Sequence, residues 1–204
     1  MTDTWETLTS TAAFLPYDDI DTDTIIPQVE LLAADRAGLA AGLFAPWRYT
    51  ADRRERPEFV LNQAPYRRAQ VLVAGRNFGC GSSREHAAWA LAAFGVRCVL
   101  AASFGPIFHR NCLRSRIAAL TVPAQTLDEL RDALGPTAGP APLRVELAAG
   151  RLTAGERSWP VEVSRAVHEY VVEGLDEVAR SLRAEPQIAA YEHVHRVPPL
   201  SLGR

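Results

Sequence analysis

Short apolar runs alternate with amphipathic segments through the middle of the chain. The apolar runs have the length and composition of buried strands, and they cover residues 71–74, 98–101 and 118–122. Between them, apolar residues recur at helical spacing over 83–94 and 106–113. This alternation of strands with helices predicts an α/β fold.

The flanking regions add further elements to this pattern. Helices are predicted over 28–37, 128–134, 167–172 and 176–182. Short strands are predicted over 143–147, 151–153 and 159–163, after a Pro- and Gly-rich linker at 135–142. The sequence therefore predicts one domain over 1–204, with more strands than a simple doubly wound sheet needs and with loose termini at 1–11 and 197–204.

Charge and composition exclude several classes of function. The net charge is −2 and the pI is about 6.2, so no basic field attracts nucleic acid or a membrane surface. The 22 basic residues are all arginine, which excludes a Schiff-base lysine and a phosphate-binding loop of the Walker type. No signal pattern or long apolar run is visible, so we expect a cytoplasmic protein.

The cysteines give no sign of a metal centre. Cys80, Cys98 and Cys112 are widely spaced and include no C-x-x-C pair. This spacing fits neither a disulfide framework nor the usual pattern of iron–sulfur ligands. If the protein works with such a cluster, another chain must supply it.

The most informative segment is the Gly-rich stretch 75–87, which follows a predicted strand and precedes a predicted helix. Gly79 and Gly81 lack a Cβ, so the backbone can approach a ligand closely. A helix N-terminus favours anions, and Arg84 in the predicted first turn adds a bidentate donor for a carboxylate. The segment therefore predicts a carboxylate site with serine hydroxyls beside it.

A structural interpretation of the same segment stays open beside this one. Ser82 followed by Glu85 is a capping-box pattern, which would stabilise the helix by about 1 kcal/mol without any catalytic role. Two other functional motifs do not fit. Arg84 stands where a dinucleotide fingerprint needs its third glycine, and the spacing around Ser82 is not that of a nucleophile elbow.

The stretch 77–87 resembles the active-site signature of the aconitase swivel-domain family, and specifically that of isopropylmalate dehydratase small subunits. Further segments match the same family in order: 21–27, 42–44 with 47–48, 59–62, 174–177 and 188–192. The resemblance covers residues 12–192. It implies an α/β swivel domain, built as a three-layer β/β/α sandwich or as a barrel-like core with flanking helices.

The resemblance also implies roles for individual residues. Ser82 would be the base that takes the carbon-bound proton of the substrate. Ser83 and Arg84 would hold a substrate carboxylate, and Arg36 would bind carboxylate from another loop. Asp23 would support the site, as would the two glycines of the loop.

A partner is implied as well. In this family a large subunit carries a 4Fe-4S cluster whose open iron takes the substrate hydroxyl, so we expect a heterodimer and no cofactor or metal in this chain. The substrate would be a small dicarboxylate or tricarboxylate. The expected reaction isomerises 2-isopropylmalate to 3-isopropylmalate by dehydration and rehydration, in leucine biosynthesis.

Two alternatives stay open. The family usually places threonines on both sides of the loop arginine and Gly-Phe after it, whereas residues 35–39 here read Asp-Arg-Ala-Gly-Leu. The same reaction on another malate, such as homocitrate or a benzyl- or methyl-malate, is therefore an alternative. A non-catalytic carboxylate-binding regulatory subunit is another, although the intact Ser82, Ser83 and Arg84 argue against it.

Overall fold

One mixed sheet organises the chain in the computed structural model, which describes residues 4–32, 36–135 and 139–195. Its seven strands are β1 (Thr7–Leu15), β2 (Val71–Ala74), β3 (Cys98–Ala101), β4 (Ala118–Thr121), β5 (Pro142–Glu146), β6 (Arg151–Ala154) and β7 (Arg157–Pro160). They follow the order β4-β3-β2-β1-β5-β6-β7 across the sheet. Strands β1 to β4 are parallel, β5 to β7 pair antiparallel, and the whole sheet curls into a half-barrel.

The helices lie mainly between the strands. In chain order they are α1 (Thr22–Ile25), α2 (Arg36–Gly42), α3 (Ala45–Arg48), α4 (His86–Phe94), α5 (Pro106–Arg114), α6 (Ala124–Leu134), α7 (Arg165–Val167), α8 (Glu177–Arg183) and α9 (Glu185–Val194). A π-helical turn, His168–Val172, continues α7, and 3-10 turns lie at Gln28–Leu32 and Val60–Asn62. Within the described residues, no helix is long and apolar enough to cross a membrane.

The chain forms two compact units, residues 1–174 and 175–204. The first contains the sheet. The second contains α8 and α9, and neither of these helices buries a side chain. The single domain expected over 1–204 stays a prediction, and the expected loose terminus at 197–204 lies outside the described residues.

Strands β2 and β3 are apolar at every position because both of their faces are buried. Leu72 and Ala74 point into one core with residues of α2, α4 and α5, whereas Val71 and Val73 point into a second core. The second core also contains residues of α6 and of the antiparallel strands. Parallel strands covered on both faces are expected to read as continuous apolar runs, so the sequence pattern correctly predicted them.

Three predicted helices differ most from the helices of the structure. The predicted helix 28–37 is wrong, because a 3-10 turn ends at Leu32 and α2 begins at Arg36. Helix α6 begins at Ala124, earlier than predicted. Helix α4 begins at His86 rather than at position 83, because the preceding residues contact another loop instead of forming a helical turn.

Strand β1 was missed, and the expectation that residues 1–11 are loose is wrong for positions 7–11. These residues pair antiparallel with β5, from Thr7 opposite Glu146 to Thr11 opposite Pro142. Residues 12–15 then pair in parallel with β2. A single strand thus joins the parallel half of the sheet to its antiparallel half.

The packing of β1 can be tested with Leu8→Ala. Leu8 is 9% exposed and lies in the second core, so this change should lower the free energy of unfolding by about 2 kcal/mol, the low end for a buried leucine. The control is Thr9→Ala, on the exposed side of the same strand, which should cost less than about 1 kcal/mol. Urea unfolding measures both. Equally small effects would mean that this part of β1 does not pack as described.

Candidate active site

Three loops meet at the carboxyl ends of the parallel strands. They follow β1, β2 and β3 and cover residues 16–21, 75–85 and 102–105. The middle loop is hydrogen-bonded to both neighbours. Gly79 N–H donates to the Ile20 carbonyl at 2.7 Å, and Gly105 N–H donates to the Phe78 carbonyl at 2.9 Å. The loops therefore continue the sheet beyond its strands, at the edge where open α/β sheets bind ligands.

Gly79 allows this close packing. Its φ is +74°, and a Cβ at this position would lie 2.1 Å from the Phe108 ring. Phe108 is 1% exposed, so its ring has little room to move. A side chain at position 79 would therefore push the loop away from α5. The glycine is needed so that the loop can pack against Phe108. The sequence instead predicted that it lets a ligand approach the backbone.

Ser82 does not cap a helix. Its Oγ lies 2.9 Å from the Oγ1 of Thr22, and its backbone N–H donates to the same Thr22 oxygen at 3.2 Å. The residue that caps α4 is Glu85, and it makes no side-chain capping bond. The capping-box interpretation is therefore wrong. Gly81, with a φ of +93°, turns the chain immediately before Ser82.

Arg84 lies before α4 rather than in its first turn. Its two terminal nitrogens pair with both carboxylate oxygens of Asp23, with Nη1–Oδ1 at 2.5 Å and Nη2–Oδ2 at 3.3 Å. The Arg84 side chain is 29% exposed, whereas Ser83 beside it is exposed. The structure thus brings together Asp23, Gly81, Ser82, Ser83 and Arg84, all of which the sequence analysis singled out.

Arg36 is the first residue of α2, and its side chain lies outside the described part of the structure. Helix α2 packs against α4, the helix that follows the Ser82 loop. The buried guanidinium of Arg48 donates to the carbonyls of Ala40 and Leu43 near the end of α2. Burial lowers the pKa of Arg48, and these carbonyls and the Asn62 amide oxygen compensate for its lost hydration.

Polar and charged side chains also join the first loop to the second. Asp18 accepts hydrogen bonds from the backbone N–H of Arg76 at 2.6 Å and from its guanidinium at 2.8 Å. These two contacts lower the pKa of Asp18, the backbone bond contributing most. Asn77, in the left-handed region with a φ of +55°, donates to the Asp19 carboxylate at 2.7 Å. The first and second loops are therefore joined by side chains as well as by backbone.

The cysteines do not fit an iron–sulfur cluster. Burial raises the pKa of Cys98 and of Cys112, both completely buried in the cores, so these thiols stay protonated. Partial burial and the carboxylates of Asp21 and Asp19 raise the pKa of Cys80. Among the described residues, no group of three or more histidine, cysteine or acidic side chains could hold a metal ion. The described residues therefore bring together no set of ligands for such a cluster.

A separate cleft of about 810 Å³ lies along β4 and the segment from Pro160 to Val167. Its lining is mainly apolar and includes no residue of the Ser82 loop. The cleft therefore lies apart from the Ser82 loop, and it reaches the three loops only at Ala102.

The sequence analysis missed Thr22. It is 1% exposed and contacts Ser82 through both of the contacts described above. The available signal was its place in the run Asp-Thr-Asp-Thr at 21–24, which reads as a polar turn. Nothing in that run indicates a partner 60 residues away.

Known proteins resemble this chain over most of its length. The family model of the aconitase C-terminal domain matches residues 2–125. The 3-isopropylmalate dehydratase small subunit of Paramagnetospirillum magneticum is 44% identical over 189 residues, which are 91% of this chain and 92% of that protein. The corresponding protein of Gluconobacter oxydans is 41% identical and covers 98% of both chains.

A solved structure supports the fold. The crystal structure of a 3-isopropylmalate dehydratase from Methanocaldococcus jannaschii matches with a TM-score of 0.65 and 24% identity, over 91% of this chain and 99% of that one. At this identity the match shows the fold alone, and it confirms the predicted swivel-type α/β architecture. Together with the sequence relatives, these matches show that the chain belongs to the aconitase C-terminal domain family and, within it, to the 3-isopropylmalate dehydratase small subunits.

Proposed function

We propose that this chain is the small subunit of a cytoplasmic hydro-lyase that interconverts 2-isopropylmalate and 3-isopropylmalate in leucine biosynthesis. A large subunit with a 4Fe-4S cluster completes the enzyme as a heterodimer. The observation that carries the proposal is the pairing of two loops. Ser82 and Arg84 on the second loop contact Thr22 and Asp23 at the start of α1, directly after the first loop, in a chain whose relatives carry this enzyme's name.

Ser82 is the base in this proposal. As an alkoxide it takes the proton from the carbon beside one carboxylate, and the electron pair of the C–H bond forms the alkene. The hydroxyl leaves the adjacent carbon with the electron pair of the C–O bond, and the cluster of the large subunit would supply the acceptor for it. Ser82 then holds the proton and returns it to the other carbon during rehydration. An alkoxide is costly in water, so hydrogen-bond donors fixed around this oxygen are needed to stabilise it.

Arg84 holds a substrate carboxylate. Asp23 engages the two terminal nitrogens of the guanidinium, which leaves the Nε–H edge for a second, bidentate partner. Asp23 therefore orients Arg84 without using all of its donors. Ser83 is exposed next to it and adds a hydroxyl donor.

Arg36 contributes a second carboxylate contact from α2. Its helix packs on α4, the helix that follows the Ser82 loop. The residues around Arg36 differ from the family pattern described above, and this segment would face the side chain of the substrate. The same reaction on a different substituted malate is the second candidate for this reason.

Reconstitution tests the function. The chain purified with its large subunit should turn over 2-isopropylmalate, and neither chain should do so alone, because each holds part of the site. The substrate is decided by measuring kcat/KM for 2-isopropylmalate, homocitrate, and methyl- and benzyl-malate. A higher value for another malate would replace the proposed substrate, and no turnover of any of them would favour a regulatory subunit.

Ser82→Ala in the reconstituted enzyme should lower kcat by about 10²-fold or more, since a positioned general base typically contributes that much. The loss of its bond to Thr22 should cost about 1 kcal/mol of stability. The control is Ser164→Ala. Ser164 is a true cap that accepts from Val167 N–H, so this change should cost a similar stability and leave kcat unchanged. Near-normal turnover by a well-folded Ser82→Ala enzyme would refute the assignment.

Arg84→Lys should raise KM, because lysine keeps the charge but cannot bind Asp23 and a substrate carboxylate through a planar fork. A lost charge-assisted bond of about 1.5–3 kcal/mol corresponds to a rise of roughly 10- to 150-fold. Arg131→Lys is the control, since Arg131 forms an exposed ion pair with Asp128 within α6. Initial rates of the complex measure both variants. An unchanged KM for Arg84→Lys would contradict the carboxylate assignment.

A further inference from the structure

Thr22 occupies a fixed and buried position at the start of α1. Its N–H donates to the Cys80 carbonyl at 2.9 Å, and its own carbonyl accepts from Ile26 N–H at 3.0 Å. Asp21 caps the helix by accepting from Thr24 N–H at 2.6 Å. With 1% of its surface exposed, the Thr22 side chain is shielded from water. The hydroxyl is therefore held in one place by the backbone on both sides of it.

The Thr22 hydroxyl makes two contacts with Ser82. The Thr22 oxygen accepts from Ser82 N–H at 3.2 Å and lies 2.9 Å from Ser82 Oγ. When both hydroxyls carry a proton, either can donate to the other. Once Ser82 loses its proton, its oxygen can only accept, so the bond survives only with Thr22 as the donor.

We propose that Thr22 is a positioning residue for the base. It fixes the Ser82 oxygen and donates a hydrogen bond to its deprotonated form. The inference rests on the proposed role of Ser82. A donor that is already in place needs no reorganisation when charge develops, and burial strengthens its hydrogen bond.

Asp21, the last residue of the first loop, and the first two residues of α1 make separate contacts. Asp21 caps α1, Thr22 contacts Ser82, and Asp23 pairs with Arg84. Thr22 thus contacts the proposed base, Ser82, and Asp23 contacts the proposed carboxylate-binding residue, Arg84. A shift of α1 would displace both groups together.

Thr22→Val tests the inference because it keeps the shape of the side chain and removes the hydroxyl. In the reconstituted enzyme, kcat should fall by about 10- to 10³-fold, and the upper part of this range is the effect of removing an oxyanion donor. KM should change less than about threefold. Thr22→Ser keeps the hydroxyl and should retain kcat within a few-fold. A substrate deuterated at the carbon that loses its proton should show a larger isotope effect on kcat with Thr22→Val than with wild type.

The double variant separates this inference from the proposed function. If Thr22 acts through Ser82, adding Thr22→Val to Ser82→Ala should cause no further loss of kcat. An inactive Ser82→Ala enzyme together with a normal Thr22→Val enzyme would overturn the role of Thr22 and leave Ser82 as the base. A normal Ser82→Ala enzyme would overturn both.

Melting of each complex checks for a purely structural effect. Thr22→Val leaves the Ser82 N–H without its acceptor, so some loss of stability is expected. If this variant does not assemble, Thr22→Ala is the second hydroxyl-free variant and should show the same loss of kcat. Equal losses for Thr22→Ser and either hydroxyl-free variant would overturn the inference, since the hydroxyl would then not matter.

Discussion

The backbone hydrogen bonds between the first and second loops are the constraint on which the site depends. Gly79 donates to Ile20, and Thr22 donates to Cys80, so the two loops run side by side beyond the ends of β1 and β2. Because backbone groups make these bonds, the spacing of the loops does not depend on flexible side chains. Ser82 then follows Cys80 by two residues and meets the Thr22 hydroxyl directly.

The third loop packs closely against the second loop. Gly105 would clash with the Gly79 carbonyl if it carried a Cβ, which would lie 2.5 Å from that oxygen, and Gly79 itself would clash with Phe108. Glycine is thus required where backbones and an aromatic ring pack at short range. The curled sheet supplies the frame, since its parallel strands end at the same edge and carry the three loops there.

In the proposed enzyme, this chain provides one side of the reaction site. In that enzyme, Ser82 transfers the proton and Arg84 binds a carboxylate, and each is in contact with a residue of α1, Thr22 or Asp23. The cluster of the large subunit would accept the hydroxyl in the proposed enzyme. Because the proposed site is shared between two chains, Ser82 and Arg84 have to be held in position before the chains associate. The hydrogen bonds between the first and second loops can hold them.

The sequence by itself predicted the apolar strands of the parallel half, the Gly-rich segment and, through its resemblance, the family and the fold. It did so because strand burial, helical spacing and short motifs are local properties of the chain. It did not predict β1, whose pairing with β5 joins residues far apart in sequence, or the late start of α4. A capping box was the local preference of Ser82, and contact with Thr22, 60 residues away, overrode it. Only the tertiary structure could decide this, because the competing partner lies on α1, far away in the sequence.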